Sequence, residues 1–565
     1  MSDSLSTIDI AEVGNCITTP PVAYFCAEFA VDQKLPLYAG GLGILAGDIL
    51  GQADEDGKSY IGVGMMYHHG YMHQAISKEA NVFEEENFDP QDVGLRLLTD
   101  KGETVIITLN IHARSVKIKT WVYMLGKIPL LLMDTDVEGN EAQDAGLCDR
   151  LYYGDREHRF KQEMILGIGG LRLLTALHIA PRLYHLNEGH SALMLFEHAR
   201  TICSTQNKTN VTEVLENLTD VVFTNHTLVP AGNDVFSKDL VISYLASFAL
   251  EFPVDPAVLV KFGLIQDSSL FSPTMLALRL ATVSQAVSRL HANKALESWP
   301  DHPLIPVTNG VHKKFWQTSE IAKVETGSEA EIWAAHLLRK KKLRQYVQDL
   351  TGFEWNESDL FIGWSRRLAN YKRPLLLFED IERLKKILTQ SQVPVRVLFA
   401  GKPHAHDEAA QENLRQILQY VGDFGGSIVY IQNYSIDVAK LILSGVDLLL
   451  NTPVRGFEAC GTSGMKASIN GVLLATTLDG WTDEVSWGGI GWVLNEETTG
   501  EAVYKLLESD ILLEYVNRDT TGLPKEWITR MKKAIAVANE RFTTKRLLEE
   551  LENTVYSQTK PEGTV

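Results

Sequence analysis

The segment DLLLNTPVRGFEACGTSGMKASINGV, residues 447–472, carries the strongest indications of fold and chemistry in this sequence. It opens with a short apolar run typical of a buried strand and continues through glycines and small hydroxyl residues to Lys466. Glu458 is the only carboxylate of the glycine-rich part. A buried ammonium is costly unless it is paired, neutralised or used in a covalent bond, so we expect Lys466 to have a chemical role.

The sequence upstream of this segment alternates short apolar runs with helical stretches. LFIGWSRRL (360–368), VRVLFAGKP (395–403) and SIVYIQNYS (427–435) predict strands. Each is followed by a predicted helix, over residues 373–390, 407–424 and 437–446. This rhythm predicts a doubly wound α/β domain whose ligands bind beyond the carboxyl ends of parallel strands. A less regular version, with a β-rich stretch between Val105 and Val137, occupies the first half of the chain.

The chain has 565 residues, too many for one hydrophobic core. The less regular alternation of strands and helices in the first half and the more regular one in the second half meet near IPVTNGVHKKFW (305–316). We therefore predict an N-terminal Rossmann-like domain with a β-rich insertion over 1–315 and a C-terminal Rossmann-like domain over 316–556. A last helix over about Glu526–Tyr556 is expected to pack back on the first domain, and a flexible tail is expected over 557–565.

Composition narrows the functional class. The formal net charge of −19 repels polyanions, so nucleic acid is not an expected partner. The five cysteines are scattered and form no CxxC pair, which favours a reducing compartment over a disulfide framework. No apolar run is long enough to span a bilayer, and no signal peptide is visible. We expect a cytoplasmic protein without a membrane partner.

Two local patterns are compatible with an anion site. GWSRRLANYKRP places four cations at a strand end and in the loop after it: Arg366, Arg367, Lys372 and Arg373. YAGGLGILAGDIL places three glycines before a predicted helix, where backbone amides can approach a phosphate: Gly40, Gly41 and Gly43. A solvated basic loop and a tight turn are the alternative interpretations.

Several histidines also lie at predicted strand ends. His185, His190 and His226 can each contact a sugar hydroxyl, although a structural role is the simpler interpretation for any one of them. The histidines of MMYHHGYMHQ (65–74) and of PHAHDE (403–408) lack a carboxylate-rich partner motif, so no metal site is predicted.

The segment EACGTSGMKASINGVLLATTLDG (458–480) resembles the lysine segment that binds pyridoxal 5′-phosphate (PLP) in α-glucan phosphorylases, the glycogen, starch and maltodextrin enzymes. Other segments fall in the order of that family: YFCAEFAV, YAGGLGILAGDIL, LYYGDREHRFKQE, HLNEGHSAL, FTNHTLVP, TNGVHKKFW, RRLANYKRP and IQNYSIDVAKLILSGVDLLLN. The resemblance runs from about residue 22 to about residue 490 and points to the compact branch found mostly in prokaryotes.

The resemblance implies two Rossmann-like domains facing across a cleft, the GT-B type of glycosyltransferase fold. It also implies reversible phosphorolysis of α-1,4-glucans from the non-reducing end, which gives α-glucose 1-phosphate with retention of configuration. The implied partners are an α-glucan (maltodextrin, glycogen or starch), inorganic phosphate and glucose 1-phosphate, and the implied cofactor is PLP. The resemblance also implies a homodimer, the usual oligomeric state in that family.

Site roles carry over from the resemblance residue by residue. Lys466 would form the Schiff base with PLP, and the rest of the cofactor pocket would be formed by Thr462, Ser463, Gly464, Trp316 and Tyr434. Arg367 and Lys372 would hold the substrate phosphate, and His226 would contact the glucose at the reacting subsite. The remaining substrate-binding positions would be Gly40, Gly41, Leu42, Asn309, Arg366, Glu458 and Gly461. No metal is implied.

Two other functions stay open on these residues. Nucleotide-sugar transferases of the same fold commonly carry a glutamate for the donor ribose at the position of Lys466, and an amine cannot accept those hydrogen bonds. A non-catalytic glucan-binding protein is the other alternative, and the presence of the lysine, the phosphate ligands and the histidine together argues against it.

Overall fold

The computed structural model describes residues 6–70, 73–76, 81–84, 87–229, 232–252, 254–266, 268–404, 407–495 and 500–560. The strands of the first half are β1 (Thr7–Asp9), β2 (Val22–Phe25), β3 (Tyr60–Met65), β4 (His73–Ile76), β5 (Asn81–Glu84), β6 (Arg96–Asp100), β7 (Glu103–Thr104), β8 (Ile107–Ile111), β9 (Arg114–Leu125), β10 (Ile128–Asp134), β11 (Leu183–Asn187), β12 (Val221–Asn225), β13 (Phe236–Ser237), β14 (Leu270–Phe271), β15 (Val283–Ala286) and β16 (Ile305–Pro306). Those of the second half are β17 (Leu360–Ser365), β18 (Val395–Ala400), β19 (Ile428–Ile431), β20 (Leu448–Asn451), β21 (Leu473–Thr477) and β22 (Gly491–Leu494).

The helices of the first half are α1 (Ile10–Cys16), α2 (Gly41–Glu55), α3 (Ala142–Ala145), α4 (Arg156–Met164), α5 (Gly170–Ala176), α6 (Met194–Gln206), α7 (Val211–Glu216), α8 (Lys238–Glu251), α9 (Pro256–Lys261), α10 (Pro273–Leu280) and α11 (Arg289–Ser298). They are followed by α12 (Lys313–Trp316), α13 (Ser319–Ala322), α14 (Glu329–Thr351), α15 (Ile381–Gln390), α16 (Glu408–Asp423), α17 (Ile436–Gly445), α18 (Ser463–Ser468), α19 (Gly500–Leu506), α20 (Leu512–Val516), α21 (Lys525–Arg541) and α22 (Thr544–Glu550).

The second sheet is a parallel, doubly wound sheet. Its strand order is β19-β18-β17-β20-β21-β22, and every neighbouring pair runs parallel. In chain order this is 3-2-1-4-5-6, the arrangement in which the strand order reverses next to the first strand. The reversal lies between β17 and β20, the strands that precede the basic loop and the lysine segment. The predicted α/β class is confirmed.

The first sheet repeats this arrangement and extends it. Strands β10, β3, β2, β11, β12, β15 and β16 are parallel neighbours in that order, so the reversal lies between β2 and β11. The β-rich stretch predicted between Val105 and Val137 forms β8, β9 and β10, with β9 antiparallel to β10 at the edge of the parallel part. Two Rossmann-like units are therefore present, as expected.

The buried apolar side chains form two main clusters. The first contains residues between Ile8 and Val307, and the second contains residues between Val311 and Phe542 together with Ala30 and Val287. The end of the chain returns to the first cluster through Leu547, Leu548, Leu551, Val555 and Tyr556. The exact domain limits stay a prediction.

One long final helix was the expectation, and this is wrong. α21 ends at Arg541 and α22 begins at Thr544, because the chain crosses from the second cluster to the first between them. At the crossing the Val311 N–H donates to the Phe542 carbonyl (2.9 Å) and the Thr544 N–H donates to the Val311 carbonyl (3.0 Å). The Thr543 side chain accepts from the Arg546 N–H and caps the new helix.

The predicted tail lies partly outside the described residues. Within them, the Lys560 N–H donates to the Thr219 carbonyl at 2.7 Å. Across the described ranges, no helix combines the length and the apolar composition needed to cross a bilayer.

Candidate active site

The predicted site residues follow strands that flank a reversal or lie one strand away from it. Gly40 and Gly41 come after β2, and His226 follows β12 directly. In the second sheet, Arg366 follows β17 and Glu458 follows β20. Because the carboxyl ends of parallel strands share one edge of a sheet, these segments meet at the edges where ligands of doubly wound sheets bind.

Lys466 is buried on α18, with 6% of its surface exposed. Its Nζ lies 3.9 Å from the centroid of the Trp316 ring, close enough for a cation–π contact. Burial lowers the pKa of Lys466 to about 8, and the charge of Asp48 opposes this shift. A lysine with a depressed pKa has a larger neutral fraction at pH 7, and the neutral amine is the form that condenses with an aldehyde.

Three cations of the loop after β17 converge on Glu458. Lys372 Nζ lies 3.0 Å from Glu458 Oε2, and Arg366 Nη1 lies 4.0 Å from the same oxygen. Burial alone would raise the pKa of Glu458, but Lys372, Arg366 and Arg367 together hold it below its usual value. One carboxylate does not balance three cations, so the site has an excess of positive charge that suits an anion.

Arg366 has unused hydrogen-bonding capacity. Its Nη2 donates to the Ser463 hydroxyl at 3.2 Å and to the Asn451 side chain. Its Nη1 is buried and donates to no acceptor among the described residues. Buried donors are rarely left unpaired in folded proteins, so this group favours a polar ligand at this position.

The remaining basic residue of the loop has a different role. Arg373 has a positive φ of 50° and its Nε donates to the Thr452 carbonyl at 2.7 Å, so it fixes the loop against the segment after β20. Of the four predicted cations, the structure places Arg366, Arg367 and Lys372 around Glu458.

His226 is held in place by hydrogen bonds at the end of β12. Its Nε2 lies 3.0 Å from Asn187 Oδ1, which also accepts from the Tyr24 hydroxyl at 2.8 Å. Burial lowers the pKa of His226 to about 3, so the ring is neutral at pH 7. Nε2 therefore donates to Asn187, and Nδ1 carries the lone pair that can accept from a sugar hydroxyl.

The other two strand-end histidines differ in their contacts: both ring nitrogens of one are hydrogen-bonded, whereas one ring nitrogen of the other is not. His185 contacts the Tyr556 hydroxyl through Nδ1 and the Thr224 hydroxyl through Nε2, both at 2.7 Å, which makes it a structural residue. His190 is half-buried, and its Nδ1 has no partner among the described residues. In those residues the structure contains no group of three or more histidines, cysteines and carboxylates placed to hold a metal ion.

The glycine loop is tied to a carboxylate that the sequence analysis did not single out. Glu28 Oε2 accepts from the N–H groups of Ala39 (2.8 Å) and Gly40 (3.0 Å). The amide of Gly40 is therefore engaged with Glu28. The N–H groups of Gly41 and Leu42 open α2, where backbone donors have no acceptor within the helix, and these are the amides that can face an anion.

The other predicted positions lie around these groups. Gly464 is packed so closely that a Cβ there would lie 2.7 Å from Leu474 Cδ2 and 2.8 Å from Trp481 Cζ2. Thr462 precedes α18, and its carbonyl accepts from the Lys466 N–H at 3.1 Å. Tyr434 is half-buried, with its pKa raised by burial and moderated by a hydrogen bond to Ser365.

Asn309 and Gly461 complete the set. Asn309 is buried, and its carbonyl accepts from Arg546 Nη2 at 2.7 Å. A Cβ on Gly461 would lie 3.3 Å from the Glu458 carboxyl carbon, so this glycine keeps the space beside that carboxylate open.

Four further polar residues belong to the site by geometry. Asp479 accepts from the Glu458 N–H at 2.9 Å and orients that residue, while Glu188 accepts from the His226 N–H at 2.6 Å. Glu28 and Asp48 hold the glycine loop and the indole of Trp316. The sequence signal for Glu28 and Glu188 is a carboxylate within three residues of a strand end, whereas nothing local marks Asp48 or Asp479.

Comparison with known proteins places this geometry in context. Residues 297–487 match the family model described as carbohydrate phosphorylase. The maltodextrin phosphorylase of Thermococcus litoralis is 35% identical over an alignment that covers 95% of this chain and 70% of that protein. The glycogen phosphorylase of Aquifex aeolicus is 31% identical (96% and 87% covered), and that of Mycobacterium tuberculosis is 32% identical (93% and 69% covered).

Proposed function

This chain belongs to the carbohydrate phosphorylase family, and from that premise we propose how its site performs the reaction. The chain is an α-glucan phosphorylase, a glycosyltransferase that acts on an α-1,4-glucan and inorganic phosphate. The product is glucose 1-phosphate released from the non-reducing end. We propose that the α configuration is retained.

One observation carries this proposal. Lys372, Arg366 and Arg367 surround a single carboxylate, Glu458. Arg366 also donates to Ser463 on α18, the helix that carries Lys466, a buried lysine of depressed pKa. A protein with a net charge of −19 that concentrates positive charge at this point needs a local reason for it, and two phosphate groups in one site supply that reason.

PLP dependence is a general property of the family, and the residues present fit this cofactor. Lys466 would supply the amine that links to the aldehyde of the cofactor. The unpaired Nη1 of Arg366 and the hydroxyl of Ser463 beside it are suited to the cofactor phosphate, together with Thr462 and Gly464. The ring of Trp316 packs against the ammonium of Lys466, and Tyr434 lies beside Ser365.

The substrate phosphate is held, in this proposal, by the guanidinium of Arg367, the ammonium of Lys372 and the amides of Gly41 and Leu42. Glu28 holds the glycine loop in place by accepting a hydrogen bond from the Gly40 N–H. Charge-assisted bonds from fixed donors are stronger than neutral ones and oppose the repulsion between neighbouring phosphates.

The terminal glucose is proposed to bind between the two sheets. Neutral His226 accepts from one hydroxyl through Nδ1, and Glu458 accepts from another, beside Gly461 and Asn309. Because Lys372 and Arg366 keep Glu458 ionised, this carboxylate remains an acceptor at neutral pH.

When bound, PLP supplies its 5′-phosphate as a group that exchanges a proton with the substrate phosphate. Arg367 and Lys372 hold the substrate phosphate below the glycosidic bond, where it protonates the leaving oxygen and then captures the glucosyl group on the same face. Because the leaving oxygen departs from the same face of the sugar that the phosphate then attacks, the α configuration is retained.

The proposed reaction class can be tested by assay of the purified chain. The purified chain, incubated with maltodextrin, phosphate and PLP, is expected to release α-glucose 1-phosphate, and glucose 1-phosphate is expected to lengthen a maltodextrin primer. Borohydride reduction followed by peptide mapping is expected to place a pyridoxyl group on Lys466. Activity with UDP-glucose or ADP-glucose in place of glucose 1-phosphate would overturn the proposal.

Two assignments stay predictions. A homodimer is checked by analytical ultracentrifugation of the loaded protein, and a cytoplasmic location is checked by cell fractionation.

A further inference from the structure

Asp48 is a buried carboxylate at the point where α2 of the first domain meets the lysine of the second. It is 3% exposed, and both of its oxygens accept from Trp316 Nε1 at 2.9 Å. Lys466 Nζ lies 3.9 Å from the centroid of the same indole ring. One indole therefore contacts the carboxylate through its N–H edge and the ammonium through its face.

The charged groups around this indole act on one another. Burial raises the pKa of Asp48, and Lys466, the Trp316 N–H and His312 lower it. On α17, Lys440 Nζ lies 5.8 Å from the Trp316 centroid, and its pKa is lowered by burial and raised by Asp437 and Asp48. When ionised, Asp48 acts through its charge on both lysines, whose pKa values it raises.

A packing role alone does not account for a carboxylate here. The neighbouring positions of α2, Ala46, Gly47, Ile49 and Leu50, are buried and apolar or lack a side chain. Burying a charge with only the Trp316 and His312 N–H groups as donors costs free energy, which an apolar side chain at this position would avoid. A role that depends on the charge of this carboxylate would account for its presence in an otherwise apolar helix face.

We propose that Asp48 is a positioning residue that provides the counter-charge for the nitrogen through which Lys466 binds PLP. The inference rests on the proposed function, because it requires the cofactor on Lys466. A fixed anion near this nitrogen favours its protonated form. Asp48 therefore keeps the linkage protonated to higher pH, and it makes the glycine-loop helix of the first domain part of the cofactor site of the second.

The absorbance of the loaded protein tests this directly. The linkage absorbs at longer wavelength when its nitrogen is protonated, so its titration can be followed in the visible and near-ultraviolet spectrum. We expect the midpoint of Asp48→Asn to lie about one pH unit or more below that of the wild type. Asp56→Asn, an exposed aspartate at the end of the same helix, is the matched control and is expected to titrate as the wild type does.

A second measurement covers the case in which Asp48→Asn binds PLP poorly. In the cofactor-free protein, reductive methylation of Lys466 with formaldehyde is followed against pH by mass spectrometry. Since Asp48 raises the pKa of Lys466, the Asp48→Asn variant is expected to react faster at pH 7 than the wild type. Equal rates would contradict the inference, as would equal spectral midpoints.

A purely structural role predicts a different pattern. If Asp48 only anchors the indole, Trp316→Phe would reproduce the spectrum and midpoint of Asp48→Asn, and this result would overturn the inference. We expect Trp316→Phe, which keeps the carboxylate, to titrate closer to the wild type. Absence of a pyridoxyl group from Lys466 in the wild type would overturn the proposed function and this inference together, whereas a loaded wild type with an unchanged midpoint in Asp48→Asn overturns only the inference.

Discussion

Lys372 lies 3.0 Å from Glu458, and Arg366 and Arg367 add their charges to the same carboxylate. We expect Arg367→Ala and Lys372→Ala to weaken phosphate use by about 2–4 kcal/mol each, because each change removes a charge-assisted contact to the substrate anion. Initial rates measured against phosphate and against maltodextrin separate the two substrates. Lys386→Ala, an exposed lysine on α15, is the control. Equal losses on both substrates would mean that these residues support the fold instead.

The same cluster predicts a pH dependence for anion binding. Burial lowers the pKa of Lys372 to about 8; Glu458 opposes this shift, and Arg366 and Arg367 reinforce it. Lys372 is therefore charged below about pH 8 and neutral above it. The affinity for sulfate, whose charge is constant in this range, is expected to fall as the pH rises through about 8. Calorimetric titration measures it, and Lys372→Arg is expected to remove the step because a guanidinium stays charged. A step that persists in this variant would exclude Lys372 as its source.

At the scale of elements, α22 is the part of the chain that returns to the first domain. Leu548 is fully buried in the first apolar cluster, although it follows the whole second sheet in sequence. Leu548→Ala is expected to lower the free energy of unfolding by about 2–5 kcal/mol, because it leaves a cavity that the surrounding side chains fill only in part. Denaturant unfolding monitors this loss, with exposed Glu549→Ala as the control. A loss no larger than that of the control would mean that α22 is not a tight part of the core.

Elements with a strong local pattern are predictable from the sequence. The helical stretch of residues 407–424 becomes α16 (Glu408–Asp423), because its apolar positions recur at helical spacing. The expected helix of residues 373–390 begins only at Ile381, where Asp380 caps it. The final helix was predicted as continuous because both of its parts are amphipathic. Its break depends on the pairing of residues 542–544 with Val311, a contact between distant segments that local pattern does not reveal.

The same distinction holds in the candidate site. Lys466, Glu458 and the cations after β17 are marked by their own segments, since charge in a glycine-rich or strand-end context is visible in the sequence. Asp48 is not marked, because its partner Trp316 is 268 positions away. Asp479 orients Glu458 from the far side of β21 and likewise becomes visible only in the folded chain. Residues that position others depend on tertiary contacts, and these are what the sequence reading lacks.

At the scale of the whole molecule, two crossings join the apolar clusters, and they lie side by side. Residues 309–311 run beside residues 542–544, and Arg546 Nη2 donates to the carbonyls of Thr308 (2.6 Å) and Asn309 (2.7 Å). The junction therefore contacts Asn309 of the proposed sugar pocket. Its tightest point is Gly310, where a Cβ would lie 2.3 Å from the Thr543 carbonyl oxygen and 2.4 Å from its carbon.

Gly310→Ala is expected to destabilise the protein by about 1–3 kcal/mol, because backbone atoms on the opposite crossing cannot move aside as a flexible side chain can. The displaced junction is also expected to raise the KM for maltodextrin through Asn309. Gly422→Ala on α16, where an added Cβ meets nothing within 4 Å, is the matched control, and it is expected to stabilise by about 0.4–1 kcal/mol through the unfolded chain. Thermal and denaturant unfolding with steady-state kinetics measure both variants. If Gly310→Ala unfolds and turns over as the wild type does, the two crossings are not rigidly joined, and the domains communicate only through the groups that face each other at Lys466.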